Sequence, residues 1–135
     1  MAISMKPLTD ALGIEVTGID LSAPVAAEDV AVLERALTDH LVMVFRDQNL
    51  SSAQYLAATR LFGETMEQHL TDLLMDDHPE IAVLDSRASD VGADGRGIPL
   101  GSKDWHTDHT NHAKPPKMTA LYAVALPRSG GDTGF

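Results

Sequence analysis

No cysteine occurs among the 135 residues, which rules out disulfides, zinc–thiolate centres, iron–sulfur clusters and a cysteine nucleophile together. Basic residues are also scarce: 10 Lys and Arg stand against 20 Asp and Glu, a formal charge of −10. Nothing forms a basic stripe, so neither nucleic acid nor an anionic membrane surface is an expected partner. No apolar run approaches the length of a membrane span. The opening "MAISMKPLTDALG" has no charged segment leading into an apolar one, so no signal peptide is expected. Internal repeats and low-complexity tracts are missing too. With 44% hydrophobic residues, the chain is expected to fold as one globular, cytoplasmic domain over residues 1–135.

Periodicity gives a coarse outline. In "ALGIEVTGIDLS", Leu12, Ile14 and Val16 alternate with Gly13, Glu15 and Thr17, the pattern of a strand ending near Gly18. "EDVAVLERALTDH" sets Val30, Leu33, Ala36 and Leu37 on one helical stripe, with Glu28 and Asp29 suited to its N-terminal dipole. "LVMVF", 41–45, reads as a buried strand. "NLSSAQYLAATRLFGE" carries a helix that Ser51 caps, with Leu50 stapled on Tyr55 and Gly63 as the stop. "IAVLD", 81–85, and "MTALYAVALP", 118–127, read as two further strands, and the glycine-rich stretch 86–104 between them as a mobile loop. At "SGGDTGF" a turn is made and a new strand begins, so a second copy of the chain or a C-terminal half is expected to complete the sheet.

The chemistry concentrates in "SKDWHTDHTNHAKPP", which holds His106, Asp108, His109 and His112. On a helix, His106, His109 and His112 would share a loose face, but Thr107, Thr110 and Asn111 are poor helix formers and Pro115-Pro116 cuts the segment short. On a strand, His106 and Asp108 share a face by the two-residue period, and a strand over 105–110 is the preferred reading. An imidazole nitrogen and a carboxylate oxygen side by side can hold one metal ion. A further histidine would complete the two-histidine, one-carboxylate set of non-haem iron(II) oxygenases. His109 then faces the opposite way and is read as structural. His112 lies about 13 Å beyond Asp108 on a strand and is set aside as a ligand. H-x-D alone is not specific, and a polar surface turn is the bland alternative. Trp105 is read as a packing residue, and His40 and His78 as surface or loop residues.

The whole segment "WHTDHTNHAKPPKMTALYAVALPRSGGDTGF" resembles the iron-binding region of the taurine dioxygenase and 2,4-dichlorophenoxyacetate dioxygenase (TauD/TfdA) family. The shared pieces are Trp105 to Asp108, Pro115-Pro116, Leu126-Pro127 and Gly130 to Thr133, with "GIEVTGIDLS", "VFRDQNLS" and "LAATRLFGE" agreeing earlier. The resemblance implies a mixed α+β, mainly β fold: a double-stranded β-helix, or jelly roll, with flanking helices, of which this chain is the N-terminal part. It implies an iron(II)- and 2-oxoglutarate-dependent dioxygenase that hydroxylates a small organic, anionic substrate with release of succinate and CO2. His106 and Asp108 become metal ligands and Thr133 the hydroxyl that binds 2-oxoglutarate. The substrate-side histidine of the family falls at Gln68, one residue from His69, and a substrate-facing polar position falls at Ser102, so taurine is not the expected substrate. The distal histidine and the 2-oxoglutarate-binding arginine of the family have no counterpart in the sequence, so the 135 residues alone are expected to be inactive. The competing reading is a non-catalytic homologue or interaction module that keeps the first strands of the fold.

Overall fold

A computed structural model describes residues 3–66, 71–85, 104–130 and 132–135. Strand β1 (Ser4–Pro7) pairs antiparallel with β2 (Ile14–Thr17), Ser4 opposite Thr17 and Pro7 opposite Ile14. Helix α1 (Ala27–His40) then crosses over to β3 (Met43–Phe45), which lies parallel to β2 with Ile14 opposite Met43. The sheet order is β1-β2-β3. Helix α2 (Ser52–Arg60) follows, then a 3-10 turn (Thr71–Leu73) and an antiparallel pair, β4 (Leu74–Met75) with β5 (His78–Ala82).

Alternation places the core. Ile14 and Val16 point from β2 into the layer beneath α1, where Leu33 and Ala36, three residues apart, present one face of the helix. Leu33 and Val16 are the most completely enclosed side chains among the described residues, and Ile3, Met5, Ile19, Met43, Phe45 and Phe62 pack around this nucleus. The helical stripe expected from the sequence is therefore the buried one. Strand β1 was not expected. Its pattern, Ile3 and Met5 inward with Ser4 and Lys6 outward, is too short to stand out, and the β2 edge is what makes it a strand.

The β1–β2 connection is held by Thr9, whose hydroxyl accepts from the amides of Ala11 and Leu12 and donates to the Leu12 carbonyl. Gly13 closes it at φ 91°, where a side chain would be strained. Helix α2 begins with a complete capping box. The Ser51 hydroxyl accepts from the Gln54 amide, and the Gln54 side chain accepts from the Ser51 amide. Past Leu61 the helix unwinds through single-turn bonds to Gly63 at φ 146°, the stop expected there.

Gln48 ties the two halves of this unit together. Its side-chain oxygen accepts from the Leu21 amide, while its amide nitrogen donates to the carbonyls of Ile19 and Arg46.

Three expected strands are corrected. The one read over 81–85 forms earlier, as β5, with His78 in a strand rather than a loop. The run 118–127 belongs to no ladder. From Pro116 to Tyr122 it keeps the period-two burial of a strand, with Pro116, Met118, Ala120 and Tyr122 half-buried and Lys117, Thr119 and Leu121 exposed. A strand needs a neighbour for its backbone groups, and no described segment offers one here. The strand over 105–110 is likewise missing, for the reason given below. Among the described residues, then, the fold is mixed α/β with few strands. The loop read over 86–104 lies outside the described residues apart from Asp104.

Candidate metal centre

Trp105 to Thr107 run without regular structure into a turn over Asp108–Asn111. His109 occupies φ 53°, and the His112 amide donates to the His109 carbonyl at 3.0 Å. A left-handed residue cannot continue a strand, so the two-residue period breaks at His109. The turn nevertheless brings together the pair that the strand was expected to align. His106 Nε2 lies 3.2 Å from Asp108 Oδ1.

The remaining atoms of both side chains are engaged. His106 Nδ1 is 2.7 Å from the Asp104 carbonyl oxygen. A carbonyl only accepts, so Nδ1 carries the hydrogen and Nε2 holds a lone pair in the neutral ring. Asp108 Oδ2 accepts from the Thr119 hydroxyl at 2.8 Å. What remains is one nitrogen and one oxygen lone pair facing each other, which repel unless a positive charge sits with them. A proton on Nε2 makes them an ion pair; a divalent cation makes them a chelate.

The donor set fits a metal. Two adjacent ligands of an octahedral ion, each about 2.1 Å from it, stand about 3.0 Å apart, close to the 3.2 Å observed. Both side chains are open to solvent, 51% exposed for His106 and 44% for Asp108. Among the described residues, no set of three histidine or acidic side chains gathers at one point.

His109 and His112 meet each other instead, their rings edge to face with centroids 5.5 Å apart. His112 is thus not carried far along a strand as expected; the turn folds it back to His109. Trp105, read as a packing residue, is 84% exposed. The indole lies beside Gly134, where an added Cβ would come within 3.2 Å of it. Thr133 is exposed and directly precedes Gly134, so the segment carrying it lies against the residue next to His106. His69 and Ser102, and Gln68 with them, lie outside the described residues.

The model for "Taurine catabolism dioxygenase TauD, TfdA family" matches residues 4–135. The chain belongs to the TauD/TfdA family. It is 34% identical over 90% of its length to pentalenolactone F synthase of Streptomyces avermitilis, covering 40% of that protein. It is 31% identical over 98% of its length to the alpha-ketoglutarate-dependent sulfate ester dioxygenase of Pseudomonas putida, covering 41%. Against a crystal structure of a taurine dioxygenase from Burkholderia xenovorans the TM-score is 0.53 at 35% identity, over 57% of this chain and 28% of that one. The chain spans about 40% of the length of these curated relatives.

Two residues of the site escaped the sequence reading: Asp104, through its carbonyl, and Thr119. Thr119 left a trace, because Thr119 and Tyr122 are the two hydroxyls in the otherwise apolar run 118–127. Tyr122 Oη accepts from the Leu50 amide at 2.9 Å and donates to the Gln48 carbonyl at 3.2 Å. Both hydroxyls are in use.

Proposed function

We propose that the protein is an iron(II)- and 2-oxoglutarate-dependent dioxygenase that hydroxylates a small organic anion. The observation that carries this is the convergence of His106 Nε2 and Asp108 Oδ1 at 3.2 Å, with the far atom of each side chain already hydrogen-bonded. Iron(II) held there would activate dioxygen while 2-oxoglutarate is decarboxylated to succinate. The chain's own residues supply the rest. The Asp104 carbonyl holds the imidazole in the tautomer that leaves Nε2 free. Asp108 brings a negative charge that binds a cation more strongly than a neutral ligand would. The Thr133 hydroxyl, on the segment against Trp105, is assigned to a 2-oxoglutarate carboxylate. His69 and Ser102 are assigned to the substrate side. The anionic class rests on relatives named as sulfate ester and 2,4-dichlorophenoxyacetate dioxygenases. The jelly roll is part of the same proposal, with the extended run 118–127 as one of its strands and residues 1–135 as its N-terminal part. The non-catalytic reading is not favoured, since relatives matched along nearly the whole chain are named as alpha-ketoglutarate-dependent dioxygenases.

The test is succinate formation by the protein at its native length, with iron(II), ascorbate and 2-oxoglutarate, across a panel of sulfate esters, sulfonates and aryloxyacetates. Turnover above the no-substrate background with at least one of these anions is expected, and its loss in His106→Ala. Activity that persists in His106→Ala contradicts the proposal.

A further inference from the structure

Asp108 reaches the candidate metal centre from a solvent-exposed turn, and a carboxylate there can rotate and exchange its two oxygens. Thr119 breaks that symmetry. Its hydroxyl, 11 residues further on, donates to Oδ2 at 2.8 Å and leaves Oδ1 beside His106 Nε2. The hydroxyl is itself fixed by the next residues. The Ala120 carbonyl accepts from the Tyr55 hydroxyl at 2.7 Å, and Tyr122 inserts its own hydroxyl between the Leu50 amide and the Gln48 carbonyl. The two tyrosine rings stack with centroids 5.7 Å apart. On the other side of Thr119, Lys117 meets Glu34 of α1 at 2.8 Å. The segment bearing Thr119 is thus tied to α1, to α2 and to the β3–α2 loop, whereas the turn bearing Asp108 is regular in neither backbone nor burial.

Resting on the proposed function, we propose that Thr119 is a positioning residue of the metal centre: it occupies Asp108 Oδ2, so that the carboxylate meets the ion through Oδ1 alone. The tyrosine pair transmits the rigidity of the folded unit to that hydroxyl. Outer partners of metal ligands set ligand orientation and basicity in this way, and their loss typically weakens metal affinity by roughly 10–100-fold. A carboxylate released from Thr119 can turn either oxygen, or both, toward the ion.

The experiment uses the metal-free protein at its native length and cobalt(II) as the probe, titrated anaerobically and followed by visible absorption. Thr119→Val is expected to bind cobalt(II) roughly 10–100-fold more weakly than the unaltered protein, with changed band positions. Thr119→Ser, which restores the hydroxyl, should come back to within about threefold. Because Thr119 is exposed, the thermal unfolding midpoint should barely move. Should Thr119→Val unfold, Thr119→Ala removes the hydroxyl without placing a methyl in its position and carries the same expectation. Cobalt affinity unchanged in the hydroxyl-free variants, or equally poor in Thr119→Ser, overturns the inference. His106→Ala separates it from the underlying reading: cobalt binding that survives this change means the metal centre itself is wrongly placed, whatever Thr119 does.

Discussion

At the scale of single residues, three non-glycine positions among the described residues carry positive φ: Leu41 at 65°, Asp47 at 56° and His109 at 53°. Asp and His tolerate this region better than most, but leucine does not. Leu41 ends α1, its amide bonded back to the Leu37 carbonyl at 2.8 Å, and its side chain is 70% exposed. It therefore bears the strain without the compensation of burial. A positive φ costs a side-chain-bearing residue about 1–2 kcal/mol, and glycine gives back about 0.5–1 kcal/mol of that in chain entropy. Leu41→Gly should thus stabilise the fold by about 0.5–1 kcal/mol, seen as a rise of a few degrees in the unfolding midpoint. A lower midpoint would mean that Leu41 packs against something its exposure does not reveal. The same reasoning governs His109. Nothing in the sequence marked it as left-handed, because histidine is not a turn former that stands out. The H-x-D pair was legible from residue types alone, yet the geometry bringing it together, a turn rather than a strand, was not.

At the scale of elements, what was legible followed the strength of the local signal. The α1 stripe, the Ser51 cap and the alternation of β2 each rest on several residues that agree, and all three formed as read. Strand β1 is too short for its pattern to stand out, and the run 118–127 makes its contacts with residues distant in sequence, which no local pattern encodes. The tyrosine pair is the clearest such partner. Burial raises the Tyr55 hydroxyl above its ordinary value, with a smaller opposing contribution from Thr59. The folded state therefore holds the Tyr55 proton more tightly than the unfolded chain does. Its contribution is fully present below the ordinary tyrosine value near 10 and is lost as pH rises through the higher folded value. Between pH 9 and 11, chemical denaturation should show a stability decline that Tyr55→Phe reduces. An identical alkaline slope in the variant would place the Tyr55 hydroxyl in water rather than on the Ala120 carbonyl.

At the scale of the whole molecule, a small α/β unit built on Leu33 and Val16 supports the peripheral, solvent-open pair of His106 and Asp108. The link between them is the segment from Lys117 to Tyr122. The run from Met118 to Pro127 also leaves Leu121, Val124 and Leu126 exposed. The family was legible because its motif spacing is a property of the chain, whereas His69 and Ser102 depend on segments outside the described residues. The central claim is that His106 and Asp108 bind the iron and His109 does not. The most direct measurement is the visible charge-transfer absorption of the anaerobic iron(II)–2-oxoglutarate complex, recorded for the native-length protein and its variants. His109→Asn is the fitting control, because asparagine accepts the left-handed backbone while removing the imidazole. The band should be present in the unaltered protein and in His109→Asn, and absent in His106→Ala and Asp108→Ala, with all four folded by thermal unfolding. A band kept by His106→Ala and lost in His109→Asn would contradict the assignment.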